Sequence, residues 1–79
     1  MSHTPHELAE EFPNEIGKMQ DLKQADSHFA KLYDEYHDVN RAIHRAETDV
    51  EPVSDEHAQA LRRQRLALKD EIAARLRAA

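Results

Sequence analysis

The residues in this sequence that could do chemistry are its six histidines and a dense set of carboxylates. Imidazole binds transition metals and moves protons near neutral pH, and paired carboxylates in an apolar cleft do acid–base work. The spacing argues against both. His37 and His44 stand seven residues apart on one helical face, about 10 Å along the axis. Arg41 takes the place between them where a further ligand would have to sit. His3 and His6 have a usable spacing but lie in an opening segment expected to fray. No His-Glu-x-x-His or comparable ligand pair occurs. Glu10, Glu11, Asp34, Glu35, Asp38, Glu47, Asp49 and Glu51 read as solvated helix faces. The sequence therefore predicts no catalytic, cofactor-binding or metal-ligating residue, no cofactor and no enzyme. Cysteine is absent, so neither a disulfide nor a thiolate metal site is available.

The basic run Arg62-Arg63-Gln64-Arg65 with Lys69 carries the other chemistry on offer, which is binding. From Ser54 onward there are six basic and four acidic residues, a balance of +2, whereas the rest of the chain carries −7. At about 100° per residue, Arg62, Arg65 and Lys69 form one narrow stripe, with Arg63 and Arg77 pointing elsewhere. Three charges could meet nucleic-acid phosphates, but no aromatic residue interleaves them for base stacking. Pairing with acids of the preceding helix or of a neighbouring subunit explains the stripe better, because the acidic remainder supplies ample partners. Leu66 lies beside the stripe, away from the apolar seam of its helix, and nothing local covers it. Arg62, Arg65, Leu66 and Lys69 are the candidate partner-binding residues.

Two long amphipathic helices must position these groups. Asp26 or Ser27 can cap the first of them. Phe29, Leu32, Tyr36, Val39, Ile43, Ala46 and Val50 then repeat at steps of three and four, the seam of a coiled coil. Pro52 is expected to end that helix. Ser54 caps the next, with Asp55 and Glu56 in its first turn and Arg75 and Arg77 in its last, as the helix dipole favours. Leu61, Leu68 and Ile72 line its apolar side, with Ala58 and Leu76 at the edge. Helices of about 27–50 and 55–77 with a short connector predict antiparallel neighbours. Folding about Pro52 sets Phe29 near Leu76, Leu32 near Ile72, Tyr36 near Leu68 and Ile43 near Leu61. Val39 and Asn40 then face Gln64 and Arg65. That polar layer either fixes register or lets Arg65 lay its methylenes over the seam with its charge in water.

Residues 1–25 read as an N-terminal helical arm, and residues 26–79 as the hairpin, within one domain. Thr4-Pro5-His6-Glu7 reads as a capping box with Pro5 at the first helical position. Pro13 separates two short helical pieces, the first with Leu8 and Phe12, the second with Ile16, Met19 and Leu22.

Composition sets the remaining bounds. Of 79 residues, 39% are hydrophobic, but alanine inflates that class, so the core is small and a lone hairpin marginal. The single glycine, two Phe, two Tyr and no Trp argue against a sandwich or barrel. No apolar run approaches the roughly 20 residues a membrane span needs, and the acidic start is no signal peptide. A cytoplasmic, soluble, all-α protein is expected, without membrane association.

Leu22-Lys23-x-x-Asp26-x-His28-Phe29-x-x-Leu32, then Tyr36, then Leu61-Arg62-Arg63-Gln64-Arg65-Leu66-x-Leu68-Lys69-Asp70-Glu71-Ile72 resemble the YdcH family of small bacterial proteins. The resemblance covers roughly residues 8–76, and its final block is the most specific part. It implies a small helical hairpin in the cytoplasm, and it carries no assigned activity and no catalytic residues. The function expected is a non-enzymatic interaction or structural module that self-associates through helices, most simply as a dimer, or that binds an unidentified protein. The rival is a nucleic-acid or ribosome-associated accessory protein using the basic stripe. Two hairpins forming a four-helix bundle would cover Leu66. Alternatively Leu8, Phe12, Ile16 and Met19 of the arm fold back and cap the hairpin of a monomer.

Overall fold

The computed structural model describes residues 5–48 and 53–78. They form four α-helices: α1 (Leu8–Glu11), α2 (Ile16–Ala25), α3 (Ser27–Glu47) and α4 (Asp55–Ala78), with a 3-10 turn over Pro13–Glu15 between the first two. The fold is an all-α antiparallel hairpin of α3 and α4 preceded by a short helical arm.

The caps explain where the long helices begin. The Asp26 carboxylate accepts from His28 N at 3.0 Å and Phe29 N at 3.4 Å, satisfying two amides that have no partner within α3. Ser54 does the same for α4, its Oγ accepting from His57 N at 3.1 Å. At its other end α3 stops earlier than the heptad predicts, at Glu47 rather than near residue 50. The Thr48 hydroxyl donates to His44 O at 2.9 Å, sharing that carbonyl with Thr48 N at 3.0 Å, so side chain and backbone together close the last turn. Val50 and Pro52 lie outside the described residues, as do Thr4, Asp49 and Glu51.

The apolar repeat does bury. Phe29, Leu32, Tyr36, Val39 and Ile43 of α3 join Leu68, Ile72 and Leu76 of α4 in one core, with Leu61 partly buried against it. Each such side chain removed from water contributes about 1.5–3 kcal/mol before entropy is charged. Polar pairs across the seam record the antiparallel order. Glu47 meets Arg62, Asn40 meets Arg65, His28 meets Glu71 and Asp26 meets Arg75, so α4 numbers rise as α3 numbers fall.

The arm folds back onto this hairpin. Leu8 and Met19 are buried in the common core, and Phe12 and Leu22 pack partly against it, while Ile16 stays 44% exposed. The helix does not start at Pro5 as the capping-box reading expects, and the Thr4 cap of that reading lies outside the described residues. Pro5 and His6 lie in a turn, Glu7 is the N-cap of α1, and no side chain caps it. The helix cannot start at Pro5 because His6 takes φ 63°, the left-handed region that a residue with a Cβ adopts only when its surroundings hold it there.

Candidate partner-binding face

What holds His6 in that conformation is a pair of donors on α3. Tyr36 and Asn40 are four residues apart on the buried face, 0% and 1% exposed. A buried phenol and a buried amide must find acceptors. The Tyr36 hydroxyl donates to His6 O at 2.6 Å, and Asn40 Nδ2 donates to Pro5 O at 2.8 Å. On its other side Asn40 Oδ1 accepts from Arg65 Nη1 at 3.0 Å. The polar layer is thus a three-part bridge that joins the opening turn, α3 and α4. Arg65 does more than lay its stem over the seam, since its guanidinium ends on a buried oxygen. Among the described residues no buried side-chain nitrogen or oxygen is left without a partner.

Around this bridge the candidate residues converge. Arg62, Arg65, Leu66 and Lys69 of α4 line one shallow concavity of about 170 Å³ with Tyr36, and the arm contributes His6 and Glu11 to its wall. Leu66 is 58% exposed there. The cations are matched at home. Lys69 Nζ donates to Glu11 Oε1 at 2.8 Å, and Arg62 Nη2 to Glu47 Oε2 at 3.2 Å. The Lys69 hydrogen bond is the main reason the Glu11 carboxyl lies below its ordinary value, with burial opposing and His6 assisting. Burial pushes the Tyr36 phenol up to about 12, so it stays a neutral donor at any physiological pH.

The adjacent flank of α3 ties the arm down again. His37 Nδ1 lies 2.9 Å from Glu7 Oε2. Its ring centroid is 4.7 Å from that of Tyr33, and Lys23 Nζ of α2 lies 4.1 Å from the Tyr33 centroid. Burial, then Glu7 and Asp34, raise the Tyr33 phenol. A second hollow holds Asp34, His37, Asp38 and Arg41, all on one helix face. Arg41 and Asp38 pair with each other there at 2.7 Å. Among the described residues no three histidines or carboxylates converge as metal ligands would.

Spacing along α4 placed the four candidate residues on one side of the helix, and the structure brings them to one concavity. It did not point to Glu11, His6 and the anchoring roles of Tyr36 and Asn40. The available signal was the donor inventory of the seam. Tyr36 and Asn40 are two polar residues on an otherwise apolar face, and the opposing layer offered no acceptor for the phenol.

The arrangement defines a small helical hairpin whose own N-terminal segment seats on a polar layer at mid-seam. Residues 29–76 match the family model described as a protein of unknown function (DUF465), the YdcH-like family, and the chain belongs to that family. No curated protein and no solved structure matches it. No helix among the described residues is long and apolar enough to cross a membrane.

Proposed function

We propose that the chain is a non-enzymatic interaction module that associates through its helices, with a second copy or with another protein, at the concavity around Leu66. One observation carries this reading. A leucine 58% exposed stands between Arg62 and Lys69, whose charges Glu47 and Glu11 already meet. Such a face gains from burial of apolar surface. A phosphate backbone would have to displace Glu11 and Glu47 first, in a chain of net charge −5. The nucleic-acid reading is for that reason the less supported one.

Sedimentation equilibrium up to about 100 μM, well above the micromolar range of modest association, tests self-association. The proposal expects a mass above 9.1 kDa that returns to the monomer value in Leu66→Glu. Titration with nonspecific RNA and DNA at rising salt tests the rival. Tight binding that weakens steeply with salt would replace the present reading.

A further inference from the structure

A single non-helical residue, Asp26, separates α2 from α3. Its backbone is extended, at φ −132° and ψ 105°. The helical ladder is already continuous on both sides of it. Asp26 N donates to Leu22 O at 2.8 Å, and Ala30 N donates to Asp26 O at 3.0 Å. In a straight helix the amides of Ser27, His28 and Phe29 would meet the carbonyls of Lys23, Gln24 and Ala25. In the bend the Asp26 carboxylate serves two of those amides instead, and Arg75 Nη1 holds its other oxygen at 3.3 Å. A backbone change at one residue therefore turns α2 and α3 into one rod from Ile16 to Glu47, about 48 Å long.

Straightening lifts the arm off its own hairpin. Leu8 and Met19, now 0% and 2% exposed, would meet water. The Tyr36 hydroxyl, the Asn40 amide and the Lys69 ammonium would lose their partners. The bed they leave is selective. It takes two consecutive main-chain carbonyls, then a leucine two residues after the second, then a carboxylate three residues further on. Another copy of the chain carries that pattern at Pro5, His6, Leu8 and Glu11. The arm is also acidic, with five carboxylates and two lysines over residues 5–25, and the bed presents Arg65 and Lys69.

We infer that two copies exchange residues 5–25 about Asp26, each arm seating on the other's hairpin. This shares with the reading above only that copies of the chain associate: the exchanged arms, and not the Leu66 face, hold the two copies together, so Leu66→Glu should leave an exchanged dimer intact. The exchanged dimer keeps every arm contact and adds the helical bonds that the bend forgoes, which is why short hinges favour such swaps. His6 and Glu11 from one copy would then complete the concavity built by Arg62, Arg65, Leu66 and Lys69 of the other.

The test uses full-length chains and the Glu11–Lys69 pair. Glu11→Lys and Lys69→Glu each place like charges at the arm's seat within one chain. Unfolded together in urea and refolded as an equimolar mixture, they restore opposite charges at both seats only if the arms are exchanged. Sedimentation velocity then reads a mixed dimer about tenfold tighter than either variant forms alone. Asp26→Ala, which removes the cap and favours the straight helix, should raise the dimer share of the otherwise native chain. A native dimer with no gain in the mixture or in Asp26→Ala overturns arm exchange and leaves self-association standing. Monomers throughout, at about 100 μM and in Asp26→Ala as well, overturn both.

Discussion

Two side chains, Tyr36 and Asn40, decide how the opening segment is placed, and their chemistry gives the sharpest residue-scale predictions. Tyr36→Phe keeps the ring in the core and deletes the donor to His6 O, leaving a carbonyl short of a partner. A loss of about 1 kcal/mol is expected, read as a lower urea midpoint at constant slope. The same substitution should change the alkaline limb. The phenol's folded value is raised from 10 to about 12, so its contribution is whole below pH 10 and is lost as pH climbs toward 12. The native chain should weaken over that window, and Tyr36→Phe should weaken less. Glu11 governs the acid side with the opposite sign. Its folded value is lowered from 4.5, chiefly by Lys69, so its contribution is present above 4.5 and lost as pH falls through the lower value. Glu11→Gln should therefore lose stability near neutral pH and show a flatter decline below about pH 4.5. An acid limb identical to the native one would mean that Lys69 does not hold Glu11. The pairing of Asn40 with Arg65 was legible in the sequence as a polar layer. The acceptors on Pro5 and His6 were not, because main-chain carbonyls some thirty residues away leave no mark in a pattern of side chains.

At the scale of elements, the long helices were legible because their signals are local. A heptad, a cap three residues before the first buried aromatic, and acids or bases at the matching ends agree on α3 and α4. The arm was only half legible. Pro13 marks the break between α1 and α2, but the capping-box pattern at Thr4 suggested a helix start that the turn at Pro5 and His6 replaces. A pattern four residues long loses to tertiary anchors when two buried donors pull the backbone elsewhere. The arm's contribution to stability follows from what it buries. Deleting residues 1–20 removes Leu8 and Met19 from the core and strips the partners from Tyr36, Asn40 and Lys69. At about 1.5–3 kcal/mol for each buried side chain, most of a small domain's margin is lost. Circular dichroism should show broad, early melting of the truncated chain. A melting curve like that of the full chain would mean that the hairpin stands without its arm.

For the whole molecule, everything turns on which side of α4 faces inward, and two leucines two residues apart settle it. Leu68 is 8% exposed and belongs to the core shared by the arm and both long helices. Leu66 is 58% exposed on the neighbouring flank. Composition and periodicity pointed to this split, since Leu68 lies on the line through Leu61, Ile72 and Leu76 and Leu66 does not. They left open whether the arm or a second copy would enlarge the small core, because either arrangement hides apolar surface. The structure shows the arm doing so within one chain, and Leu66 still uncovered. The consequence is a pair of opposite outcomes from similar substitutions. Leu68→Asp puts an unpaired carboxylate among Leu32, Tyr36 and Ile72, where a charge finds no partner and the lost leucine leaves a void. A cost above about 4 kcal/mol is expected, close to the entire stability of a 79-residue domain, so the chain should show little cooperative melting at 25 °C. Leu66→Glu exchanges a solvated leucine for a solvated carboxylate beside Arg62, Arg65 and Lys69. At dilute concentration, where association plays no part, it should alter stability by no more than about 0.5 kcal/mol. Thermal melts of both variants at about 5 μM, near the level where modest complexes dissociate, read the contrast directly. Equal destabilisation by the two substitutions would mean that α4 is rotated about its axis from the orientation described, and the seam, the polar layer and the concavity would all have to be redrawn together.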